Sequence, residues 1–202
     1  MTQTRLFPLF LAALLLVVLP ACDSEDPEQE PVAGETEVFS NVEITLTPVG
    51  GGTAVVADAV FDENGENGQI PTIALMPNTT YRGVVVFSNR FEDEPLELNE
   101  EITEVEDIAH QIFFIPEGAT AGDLTISDRN DDSANLPLGN EFTLTVADNA
   151  NGSGTLRLVL RHYEGADTEV SGQKAGDLTP TTTEIPEVVE NDLNFTYPVT
   201  IQ

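Results

Sequence analysis

The sequence predicts an all-β fold, an antiparallel immunoglobulin-like β-sandwich, with one short acidic helix inserted near residues 97–110. Three observations carry this. Several short segments alternate apolar and polar residues with period two, as Val42, Ile44 and Leu46 do against Glu43, Thr45 and Thr47. Turn signals, among them Gly50-Gly51-Gly52 and Pro77-Asn78, punctuate these segments at short intervals. Only Leu96 to His110 breaks the pattern, with Leu98, Ile102, Val105, Ile108 and Ala109 at spacings of three and four and acids on the other face. The chain has no tryptophan and one cysteine, so the Cys–Trp–Cys core of antibody domains is excluded and the likeness is one of layers.

The elements follow in order. Val42 to Thr47 and Ala54 to Phe61 read as a hairpin around the three glycines, and Asp62 to Gly68 as a polar loop. Thr72 to Leu75 is a short strand and Thr80 to Ser88 a strong one, rich in valine and aromatics. After the helix, Ile112 to Ile115 is an apolar strand that Pro116 stops. Leu124 to Ser127, Glu141 to Ala147, Thr155 to Tyr163 and Leu193 to Ile201 complete eight or nine strands, with Leu156, Leu158 and Leu160 on one face. Residues 165–190 are rich in Gly, Thr, Pro and acids and read as a long loop or irregular edge.

Ahead of the sandwich, residues 1–21 have the parts of a signal peptide: Arg5, an apolar run from Leu6 to Leu19, and a small residue, Ala21. The run is shorter than the roughly 20 apolar residues of a spanning helix. Leu19-Pro20-Ala21-Cys22 resembles the lipobox of bacterial lipoproteins, which makes Cys22 the lipidated first residue of the mature chain and the lipid bilayer its partner. Residues 22–37 are acidic and nearly free of apolar side chains, which predicts a disordered tether, and the domain then spans 38–202. Once Cys22 is acylated no thiol remains, so disulfides, thiolate metal sites and a cysteine nucleophile are excluded. The expected location is the cell envelope, lipid-anchored at the outer membrane, facing the periplasm or the surface.

Thirty-six acids face seven bases, a net charge of −29. Such a surface repels phosphate and excludes nucleic acid as a partner. Acids spread along the whole chain suit high external salt, where screening relieves self-repulsion; clustered carboxylates would instead hold cations.

Two constellations stand out. The two histidines, His110 and His162, end the helix and a strand respectively, and Glu106 and Asp107 precede His110 by four and three residues, within helical reach of its ring. If the two element ends meet, two imidazoles and a carboxylate make a zinc or copper site. Read separately, they are a helix-terminal histidine favoured by the dipole and a strand-edge histidine. Asp128, Asn130 and Asp132 place oxygens at alternate positions, as a calcium loop does, and Asp62 and Asn64 repeat the alternation. The first loop departs from the EF-hand pattern, with Ser133 at the glycine position and Gly139 where the bidentate Glu belongs; acidic turns between strands are also common without calcium. No catalytic motif is present, neither a Gly-x-Ser-x-Gly elbow nor a His-Glu-x-x-His helix, and no enzymatic activity is expected.

Pieces spread over most of the mature chain carry a family resemblance: Asn78-Thr79-Thr80-Tyr81, Glu100-Glu101-Ile102, His110-Gln111-Ile112-Phe113-Phe114, Leu136-Pro137-Leu138-Gly139, Leu158-Val159-Leu160-Arg161-His162 and Phe195-Thr196-Tyr197-Pro198-Val199. With them the chain resembles small uncharacterised lipoproteins of Bacteroidetes-type bacteria, some of which are labelled periplasmic-binding. A two-lobed α/β solute receptor does not fit, because such receptors alternate strands with helices. The resemblance implies an envelope lipoprotein and brings no activity with it. The expected function is therefore ligand or metal-ion binding, as an accessory to an outer-membrane TonB-dependent receptor. The alternative is a structural or adhesion sandwich with no small-molecule site.

Overall fold

Alternation of side chains across each strand builds two sheets with a shared apolar interior. The computed structural model describes residues 38–62, 68–91, 98–163 and 190–202, all within the unit Ala33–Gln202. Cys22, the leader, the 22–37 tether, Asn64 and the 165–189 segment lie outside the described residues.

The strands are β1 (Asn41–Pro48), β2 (Val55–Val60), β3 (Ile73–Leu75), β4 (Thr80–Ser88), β5 (His110–Gly118), β6 (Leu124–Ser127), β7 (Glu141–Val146), β8 (Gly152–His162) and β9 (Glu190–Ile201). One sheet has the order β2-β1-β4-β7-β6 and the other β3-β9-β8-β5. The fold is thus an all-β sandwich, immunoglobulin-like in the broad sense of two packed, mostly antiparallel sheets. The β1–β2 hairpin forms as its turn glycines predict, with Leu46 opposite Val55 and positive φ at Gly51 and Gly52. One pairing departs from the antiparallel expectation: β3 runs parallel to β9, with Ile73 opposite Val199. A strand of three residues has few ladder bonds of its own, so it takes the direction in which Ile73 and Leu75 reach the core.

The core lies between the sheets. Val42, Ile44 and Leu46 on β1, with Phe87 on β4 and Phe142 on β7, pack toward Ile112, Phe114, Leu158, Leu160 and Tyr197 of the other sheet. The Phe114 and Phe142 rings lie 4.0 Å apart between centroids, and Tyr197 donates its hydroxyl hydrogen to the Val42 carbonyl at 2.7 Å. Burial pushes the Tyr197 phenol well above its ordinary pKa, so it stays a donor there. Gly83 lets the Phe142 ring approach β4: a Cβ at that position would lie 2.3 Å from the ring. On the outward face of the β5–β8 pair a smaller cluster of Phe113, Ile115 and Val159 is also buried.

Three local expectations need correction. The helix expected over 97–110 is one turn, α1 (Leu98–Glu100), running into a π-helical turn at Glu101–Val105 closed by the Glu106 amide on the Glu101 carbonyl. The wider π turn breaks the apolar stripe: Leu98 and Ile102 are buried while Val105 is 71% exposed. His110 does not end a helix; it starts β5, because its pairing with His162 extends the β5–β8 ladder. Pro116 does not stop β5, which continues to Gly118. β5 is the outermost strand of its sheet, where a missing N–H can face away from the ladder.

Candidate metal centre

Register decides which residues meet. His110 and His162 are direct partners across β5 and β8. His110 shares the inward face with Ile112 and Phe114, and His162 shares it with Leu158 and Leu160, so both imidazoles fall at one end of the core. Both are buried, and their rings lie 4.7 Å apart between centroids at a 52° tilt.

The turn before β5 adds the third group. The Glu106 carbonyl accepts from the Ala109 amide at 2.9 Å, and His110 Nδ1 contacts the same carbonyl at 3.0 Å. This tight turn folds Glu106 back over the ring it precedes. One ligand atom each from Glu106, His110 and His162 then lies within 4.8 Å of the other two. Among the described residues, this is the group of His, Cys, Asp and Glu side chains close enough to share an ion.

A fourth group comes from β9. The β8–β9 ladder shifts register there: Leu160 pairs with Leu193 but Arg161 with Asn191, which leaves Asp192 as the extra residue of a β-bulge. Bulges re-aim side chains, and here Asp192 Oδ2 comes to 3.9 Å from His110 Nε2 and 3.8 Å from His162 Nδ1. The sequence pattern gives no sign of this residue, since Glu190-Asn191-Asp192 reads only as polar residues ahead of a strand.

Asp107, the other carboxylate expected beside the imidazoles, turns away from them. Its oxygens accept from the Ser133 amide at 2.6 Å and the Ser133 hydroxyl at 2.9 Å. It thereby clamps the 130–138 loop against the turn that carries Glu106. Gly139, at φ +94°, lets that loop lie along the edge of β5, where the Ile112 amide bonds to the Leu138 carbonyl at 2.7 Å.

The expected calcium loop is organised differently. Asn130 Oδ1 accepts from the amides of Gly139 and Glu141 at 3.2 and 2.9 Å. Asp132 Oδ1 accepts from those of Ala134 and Leu136 at 2.9 and 2.8 Å, and exposed Asp128 accepts from the Ser127 hydroxyl at 3.2 Å. The oxygens of Asn130 and Asp132 cap their own backbone, which is the ordinary chemistry of Asx turns. Asp62 stands at the edge of the described residues and belongs to no such group among them.

On the opposite face of the same two strands, Arg161 is 1% exposed, its guanidinium 4.9 Å from the Phe113 ring centroid and 6.0 Å from that of Tyr163. Tyr163 donates to Gln111 Oε1 at 2.7 Å, and burial raises its pKa against the pull of Arg161 and Arg129. Adjacent residues 161 and 162 therefore serve two sides of one sheet, a cation among aromatic rings and an imidazole among carboxylates.

A cavity of about 750 Å³ opens beside the β1–β2 turn, lined by Pro48, Val49, the three glycines, Val55, Met76 and the start of β4. It holds no acid, histidine or cysteine and offers no metal ligand. No family model matches the chain, and no curated protein or solved structure matches it either.

Proposed function

We propose that this chain is a lipid-anchored cell-envelope protein that binds a divalent transition-metal ion, zinc or copper, through His110, His162 and Glu106. The observation that carries the reading is the meeting of the two imidazoles and the Glu106 carboxylate within 4.8 Å of one another at the end of the core. Imidazole nitrogen with carboxylate oxygen is a donor set for these ions, whereas calcium and magnesium favour oxygen alone. The Glu106 carbonyl on His110 Nδ1 supplies the outer hydrogen bond that fixes a ligating ring. The lipobox-like Leu19-Pro20-Ala21-Cys22 supports anchoring through an acylated Cys22, and the acidic segment after it supports display away from an outer membrane. In that place the protein acts without catalysis, as a metal-binding accessory to a TonB-dependent receptor.

Calorimetric titration of zinc and of copper into the full chain in detergent micelles tests the reading. Saturable heat at micromolar metal that disappears in H110A/H162A is the expected result; no heat from the native protein overturns it.

One observation favours the rival reading, a structural or adhesion module. Val49, Val56 and Met76 are 64, 56 and 63% exposed on or beside the β1–β2 hairpin, an apolar surface of the kind that meets other proteins. Under that reading H110A/H162A leaves partner binding intact, while Val49→Asp and Met76→Asp abolish it.

A further inference from the structure

We propose that Arg161 and Gln111 bind the carboxylate of a small organic acid on the outward face of β5 and β8. This site lies across the sheet from the imidazoles and does not rest on the metal-binding reading. Gln111 and Arg161 are direct partners in the β5–β8 ladder, so their side chains stand beside one another. Gln111 is fully buried and Arg161 nearly so. An arginine side chain offers five N–H donors and no acceptor. Here Nε and Nη1 of Arg161 and Nε2 of Gln111 are buried with no hydrogen-bond partner among the described residues. No acid forms an ion pair with Arg161 among them either.

The neighbouring groups do not meet this demand. The Tyr163 hydroxyl is committed as a donor to Gln111 Oε1 at 2.7 Å. The Phe113 and Tyr163 rings favour the positive charge but do not replace an oxygen acceptor. A buried cation with unfilled donors is costly until an anion joins it. Composition sharpens the point. The chain carries thirty-six acids against seven bases, yet the residue opposite this cation is an amide. A glutamate at 111 would keep an acceptor for Tyr163 and neutralise Arg161 from within; glutamine leaves the charge to a group from outside the pair. A carboxylate suits it, because its single negative charge balances one guanidinium and its two oxygens can serve donors of both residues. A phosphate dianion would leave excess negative charge in the same buried place. β5 is the outermost strand of its sheet, so entry from that edge breaks no β5–β8 pair.

Thermal unfolding of the full chain in detergent at pH 7, in sodium acetate against sodium chloride, tests the inference. Equal ionic strength removes the general screening effect on a chain of net charge −29. Acetate should raise the unfolding midpoint saturably and by more than chloride does. Arg161→Met, which removes the charge and the donors, should lose this response. Gln111→Glu should raise the midpoint without acetate and also lose the response, because the counter-charge is then built in. If the Arg161→Met protein does not fold, the Gln111→Glu protein decides. An acetate effect no larger than that of chloride, or one that survives either substitution, overturns the inference and leaves the metal reading standing.

Discussion

The two acidic segments that precede the site and pack beside it, 100–110 and 128–140, differ in where their oxygens point. Each offers carboxylates at close spacing in sequence. In 128–140 the side-chain oxygens of Asn130 and Asp132 turn inward to four backbone amides, those of Ala134, Leu136, Gly139 and Glu141. In 100–110 the backbone satisfies itself: Glu106 N bonds to the Glu101 carbonyl and Ala109 N to the Glu106 carbonyl. The Glu106 carboxylate is then left to approach the imidazoles, while Asp107 ties the two segments together through Ser133. Counting oxygens does not tell a capped loop from a candidate ion site; the local demand of backbone amides separates these two segments.

This contrast can be broken in measurable ways. The largest effect is expected for H110A/H162A, which should weaken zinc binding by more than the ~10–100-fold carried by outer-sphere partners alone, with competition against a chelator as the readout. Asp132→Ala should instead cost about 2–3 kcal/mol in urea unfolding, because two loop amides lose a charged acceptor, while zinc affinity per folded molecule stays unchanged. Weakened zinc binding in a folded D132A protein would mean the two segments are not separate in role. Asp107→Ala should fall between these: a stability loss of about 1–3 kcal/mol with zinc affinity lowered less than in Glu106→Gln, since the Asp107 carboxylate bonds to Ser133 and Glu106 is the one grouped with the imidazoles. Equal losses of affinity in D107A and E106Q would erase the distinction between the neighbouring carboxylates. The smallest effect is expected from calcium. At 1 mM it should stabilise the protein by less than about 0.5 kcal/mol in thermal unfolding, as binding weaker than millimolar requires.

Much of the fold was legible because it is written locally. Period-two alternation marked the strands, and Leu156, Leu158 and Leu160, read as one face of their strand, all lie in the main core. The same logic failed at Leu96 to His110, where spacings of three and four suggested one helix. The π turn and the start of β5 divide that stretch, because pairing with β8 stabilises His110 as strand more than another turn would as helix. Of the site, the two histidines and Glu106 were legible as residue types with a chemistry. Asp107 was equally plausible in sequence, and its diversion to Ser133 follows from how the 130–138 loop packs on β5.

Sequence alone determined what depends on neighbours along the chain: the strand pattern, the hairpin glycines, the charge that repels phosphate, and a chain whose single thiol sits in a lipobox-like setting. Tertiary structure decided what depends on pairing at a distance. It set His110 opposite His162, ran β3 parallel to β9, and placed the bulge that turns Asp192 toward the imidazoles. The reason is physical. Alternation fixes which face of a strand is apolar, but register between distant strands is fixed by whole-core packing, and one extra residue in a ladder redirects a side chain without leaving a mark in local composition.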